Sequence, residues 1–103
     1  MHILIALMLI VSADDKVLLK AHYTQIEGTD PEYAQGAIEK NDLPHREIAR
    51  FVWLIQVPAP GDPAEWERRL NASAGADHGS FRVTKPTPEE QRRVDSGEIT
   101  MQQ

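Results

Sequence analysis

Three helix-start signals, spaced along the chain, limit its fold more than any other feature. Each one joins a capping side chain to a following proline: Asp30-Pro31, Asp62-Pro63 and Thr87-Pro88. The capping oxygen accepts free backbone amides of the first helical turn, and proline at the first helical position sacrifices no hydrogen bond. The sequence therefore predicts three helices, over about residues 31–40, 63–74 and 88–95.

Two stretches before the first of these helices have the apolar patterns of strands. Residues 3–11 are apolar throughout, which is typical of a central strand covered on both faces. Residues 17–24 alternate between apolar and polar side chains, and this alternation places His22 on one face with its polar neighbours. We expect the two strands to form a hairpin.

Residues 44–57 match two patterns. Their large apolar side chains fall at helical spacing, yet residues 51–57 are also a run of β-forming residues. We favour one helical turn after Pro44, followed by a strand over 51–57, because Pro58 restricts Val57 to extended conformations. A helix is the alternative for this segment.

Short, charged segments over residues 80–85 and 98–101 are predicted as edge strands. At 103 residues the chain has room for one hydrophobic core. We therefore predict a single α+β domain over residues 1–103, with an antiparallel or mixed sheet of about four to five strands covered by about three helices.

The apolar run over residues 3–11 has a competing interpretation as part of a cleaved leader. It is too short for a membrane span, which needs about 20 apolar residues. No lysine or arginine precedes it, unlike the start of a signal peptide. We predict a cytoplasmic protein, with a secreted or periplasmic location as the alternative if residues 1–13 are a leader.

Composition excludes several kinds of site. The chain has no cysteine, so disulfides, thiolate metal sites and thiol nucleophiles are excluded. The four histidines lack metal-ligand spacing, and the net charge of −5 disfavours general binding to nucleic-acid backbones. We predict no catalytic, cofactor-binding or metal-binding residues, and no cofactor.

Two alternatives stay open. A small enzyme would use His22, or His78 beside Asp77, with a carboxylate that orients the imidazole. A nucleic-acid-binding protein would use Phe81 to stack a base within a basic face. That face would consist of Arg68, Arg69, Arg82, Lys85, Arg92 and Arg93.

With no catalytic motif, the preferred hypothesis is a non-catalytic domain that binds another protein stoichiometrically. An inhibitor encoded by a phage or mobile element, or an accessory or structural subunit, would act in this way. A stiff connector over residues 57–63 loses little entropy on docking, and the exposed edge strands offer a route to a homo-oligomer. The candidate partner-binding residues are Trp53, Pro58, Pro60, Asp62, Trp66, Phe81 and Arg82.

Overall fold

The computed structural model describes residues 15–26 and 32–102. These residues form β1 (Lys16–Gln25), α1 (Glu32–Lys40), β2 (His45–Ala49), β3 (Val52–Pro58), α2 (Pro63–Ala74), β4 (Gly79–Thr84) and α3 (Pro88–Asp95). The α+β prediction is confirmed, as are the three helices. The predicted strand over 3–11, its hairpin and the leader alternative lie outside the described residues.

The four strands form one antiparallel sheet in the order β2-β3-β1-β4. Two β-α-β units interleave: β3 lies between the strands of the β1-α1-β2 unit, and β1 lies between those of the β3-α2-β4 unit. This is the split βαβ arrangement of ferredoxin-like folds.

One face of the sheet, the inner face, packs against α1 and α2. Alternate residues of the strands join the buried side chains of both helices in a single core. The largest fully buried side chains of that core include Trp53, Tyr23, Leu19 and Leu70. Each large apolar side chain removed from water contributes about 1.5–3 kcal/mol to folding, so this layer is the main source of stability.

The opposite, outer face is crossed by the C-terminal strap, which we define as residues 88–102. Lys20 Nζ lies 3.0 Å from Glu90 Oε2 of α3. Further along, the Arg46 guanidinium donates to the carbonyl and hydroxyl of Thr100, at 2.7 and 2.8 Å. The Leu18 side chain is also buried on this face, so the outer face has apolar packing as well as ionic contacts.

The second and third capping signals act as the sequence predicts, while Asp30-Pro31 lies outside the described residues. Asp62 caps α2 by accepting the amide of Ala64, at 3.3 Å. At the start of α3 the Thr87 hydroxyl accepts the Glu90 amide, while the Glu90 carboxylate accepts the Thr87 amide. Because both contacts are local in sequence, they fix these helix starts independently of packing.

The predicted helical turn after Pro44 is wrong, because His45–Ala49 is strand β2. The helical spacing of apolar residues arises instead from a tight hairpin between β2 and β3. Phe51 adopts a φ of 61° in this hairpin, and its amide donates to Glu47. The predicted strand over residues 51–57 is confirmed as β3, which begins one residue later, at Val52, because Phe51 lies in the turn.

The predicted edge strand over residues 98–101 is also wrong. None of these residues is in a strand, and the nearest pairing is a single antiparallel bridge between Gln102 and His45 of the edge strand β2. Glu98 pairs instead with Arg92 and Arg93 of α3.

Candidate functional site

The seven candidate partner-binding residues fall into two groups. Three aromatic side chains are buried in the core: Trp53, Trp66 and Phe81. The other four residues are exposed: Pro58, Pro60, Asp62 and Arg82. The chain's own packing therefore covers the aromatic surfaces, and the accessible part of the prediction is the connector and Arg82.

Pro60 belongs to a groove of about 380 Å³ on the surface. We call it the proline groove, because Pro60 from the β3-α2 connector lies there with Pro86 of the β4-α3 connector and Pro88 at the start of the strap. Its described lining includes Val17, Leu18, Pro60, Pro86, Pro88 and Gln91, together with Lys85. Lys85 is the one charged side chain among the described lining residues, and no ion pair holds it within the described ranges.

The sheet edge formed by β4 is already occupied by side chains from α2. Asn71 Oδ1 accepts the Phe81 amide at 2.6 Å, and Asn71 Nδ2 donates to the Phe81 carbonyl at 3.2 Å. Glu67 Oε1 accepts the Val83 amide at 2.8 Å. These contacts satisfy outward-facing backbone groups that another strand would need, so β4 is a protected edge.

The described histidines lie in three different settings. His22 is exposed on the outer face, where it pairs in register with Arg82 of β4. The ring of His78 stacks on Tyr33, with centroids 3.8 Å apart. His45, which was not singled out from the sequence, is the one buried polar or charged residue of the described ranges.

His45 lies beside a cavity of about 290 Å³ that Glu39, Asp42 and Leu43 also line. Its Nδ1 is 2.9 Å from the Leu43 carbonyl oxygen, which can only accept a hydrogen bond. The Nδ1 atom therefore carries the proton in the neutral ring, and Nε2 keeps a lone pair.

Within the described ranges, three arginines of the predicted basic face pair with neighbouring acids: Arg69, Arg92 and Arg93. Arg69 pairs with Glu65 at 2.8 Å and lies over the ring of Trp66. Arg92 pairs with Glu89, and this guanidinium lowers the pKa of the Glu89 carboxyl. With the Phe81 ring buried, the base-stacking element of the nucleic-acid alternative is enclosed by the core.

Neither a metal cluster nor a membrane-spanning helix is present among residues 15–26 and 32–102. No group of three or more histidine and acidic side chains there converges as metal ligands. No helix in those ranges has the length and apolar character needed to cross a membrane. Comparisons with protein-family models, curated proteins and solved structures give no match.

Proposed function

We propose that this chain is a non-catalytic domain that binds another protein stoichiometrically, with the proline groove as its docking site. The observation that carries the proposal is an apolar, proline-walled groove beside a cation that has no described ion pair. An inhibitor or an accessory subunit of an assembly would use such a surface.

The walls of the groove favour an extended segment of a partner protein. Pro60, Pro86 and Pro88 are restricted in φ, so these walls lose little conformational freedom when a segment docks. Apolar side chains of the segment would cover Val17 and Leu18. The volume is at the lower end of the range for ligand pockets, about 300–1,000 Å³, and suits a short stretch of chain.

Lys85 determines the charge of the partner segment. A carboxylate on the segment would pair with its ammonium group, which is exposed at the groove. An exposed ion pair adds at most about 1 kcal/mol, so this pair would set the charge preference while the apolar walls supply most of the affinity. The proposed occupant is therefore an extended, apolar segment with an acidic residue.

Capture of the full-length tagged protein from its native lysate, with crosslinking and mass spectrometry, tests this proposal. Gln91→Trp fills the groove, and Lys85→Glu reverses its charge. Gln35→Trp is the matched control, since Gln35 and Gln91 each donate to an acidic residue four positions later on a helix.

The proposal expects one partner at fixed stoichiometry, retained by Gln35→Trp, weakened by Lys85→Glu and lost with Gln91→Trp. The partner should also contain a segment of the stated chemistry that crosslinks near Lys85. Equal capture by all variants would overturn the proposal, as would self-association with no other protein bound.

A further inference from the structure

The outer face of the sheet carries a group of side-chain donors that the proline groove leaves unexplained. His22 of β1 lies directly opposite Arg82 of β4, and Thr24 lies opposite Ser80 in the next register pair on this face. All four side chains are exposed. They line one cavity with a volume of about 460 Å³. The fold therefore places a guanidinium, an imidazole and two hydroxyls around one space.

The two basic side chains of this group have no internal partner among the described residues. Arg82 and His22 make no ion pair or side-chain hydrogen bond within those ranges. Elsewhere on the same face the strap engages basic side chains: Lys20 pairs with an acid of α3, and Arg46 donates to Thr100. The strap thus satisfies Lys20 and Arg46 but leaves the His22-Arg82 pair exposed.

The facing arrangement of His22 and Arg82 is unfavourable without a counter-charge. Like charges directly opposite each other on neighbouring strands are destabilising, and a protonated imidazole beside a guanidinium is such a pair. An anion held between them replaces this repulsion with two charge-assisted hydrogen bonds. The neutral imidazole also keeps one N–H donor. The pair therefore favours an anionic ligand.

The rest of the lining includes two side chains of α2 that are already engaged. Glu67 Oε1 accepts the Val83 amide at 2.8 Å, and Asn71 exchanges two hydrogen bonds with the backbone of Phe81. The free donors of the cavity therefore come from the outer face of the sheet. The negative charge of Glu67 opposes an anion in the cavity, so removal of that charge should strengthen anion binding.

We propose that this cavity binds a phosphate monoester, with the Arg82 guanidinium as the main contact. The His22 imidazole and the hydroxyls of Thr24 and Ser80 are the further donors. A guanidinium donates two parallel N–H bonds to phosphate oxygens, while the imidazole and each hydroxyl add one donor. Together these donors match the three terminal oxygens of a phosphate group better than the two oxygens of a carboxylate.

The size of the cavity leaves space for part of the molecule that carries the phosphate. Its volume of about 460 Å³ is within the range for ligand pockets, about 300–1,000 Å³. The carrier is either a small organic phosphate or a phosphorylated serine or threonine of a protein, and both present the same head group. The chain's net charge of −5 opposes binding, but exposed charges more than about 8 Å away are largely screened at physiological salt.

NMR titration of the full chain with glycerol phosphate, at constant ionic strength, tests the site directly. The Arg82 Nε–Hε resonance and the backbone amides of residues 22–24 and 80–82 report on the cavity. We expect saturable shifts concentrated in these signals. Glycerol, which lacks the phosphate, should cause no saturable shift.

Arg82→Gln should weaken glycerol phosphate binding about tenfold or more, since a hydrogen bond to a charged group contributes about that factor. Arg68→Gln makes the same charge change at an exposed position of α2 outside the cavity, and should bind nearly as the wild type does. Ser80→Ala removes one hydroxyl donor and should weaken binding about fivefold. Glu67→Gln keeps an acceptor for the Val83 amide and should strengthen binding.

A second titration compares a blocked phosphoserine peptide with glycerol phosphate. Tighter binding of the peptide supports a protein ligand, while tighter binding of glycerol phosphate supports a small one. The proposal fails if neither phosphate saturates, if Arg82→Gln and Arg68→Gln bind alike, or if Glu67→Gln binds no more tightly than the wild type. These measurements do not involve the proline groove, so either proposal can fail alone.

Discussion

Asn71→Ala is the sharpest test of how the sheet ends at β4. The change removes both hydrogen bonds to the backbone of Phe81, at 2.6 and 3.2 Å. At about 1 kcal/mol net for each bond, the loss is about 2 kcal/mol. Alanine regains about 0.6 kcal/mol in helix propensity. We therefore expect the free energy of unfolding to fall by about 1.5 kcal/mol.

Urea titration followed by tryptophan fluorescence measures this change, because Trp53 and Trp66 are both buried in the core. Arg68→Ala, an exposed change in the same helix, should alter the free energy of unfolding by less than about 0.5 kcal/mol. Light scattering should reveal concentration-dependent association of Asn71→Ala alone, since its β4 edge has lost two blocking contacts. An unchanged free energy of unfolding for Asn71→Ala would refute the protected-edge explanation.

Three further predictions concern stability. Burial alone would raise the pKa of Glu90, but the Thr87 amide and the Lys20 ammonium outweigh it and lower the pKa below its usual value of 4.5. The free energy of unfolding, measured by urea titration, should therefore fall as pH drops below about 4.5, and should fall less steeply in Glu90→Gln. Gly36→Ala should raise the free energy of unfolding by about 1 kcal/mol, because Gly36 lies inside α1 with open space around it. An unchanged midpoint in thermal unfolding would contradict this prediction. Gly61→Ala should lower the melting temperature, since its Cβ would lie 2.6 Å from a Val17 methyl group and Gly61 has a φ of 69°; an unchanged melting temperature would contradict the close approach.

Helix positions were predictable because their signals are local. A capping side chain, a proline and a returning glutamate act within one turn, so α2 and α3 begin where the sequence indicates. Strand β2 was missed because the Arg50-Phe51 turn lacks the glycine or asparagine that normally marks such a hairpin. The apolar spacing across that turn imitates a helix.

The candidate sites depended on tertiary contacts to different degrees. Pro60 was singled out from its connector, but its neighbours in the groove come from β1 and from residues 85–91. The burial of Trp53 and Phe81 followed from strand alternation, once β3 and β4 were in register with β1. The burial of His45 depends on strand β2, which the spacing of the histidines alone does not reveal.

The contacts from Asn71 and Glu67 have a consequence for misfolding. Growth of a fibril by strand addition requires unpaired backbone amides and carbonyls at a sheet edge. On β4 the Phe81 and Val83 amides are unpaired only when α2 detaches from the strand. Deuterium uptake at the Phe81 and Val83 amides would therefore time the departure of the helix. The same opening would expose the edge to strand addition, so faster exchange at these two amides should accompany faster aggregation.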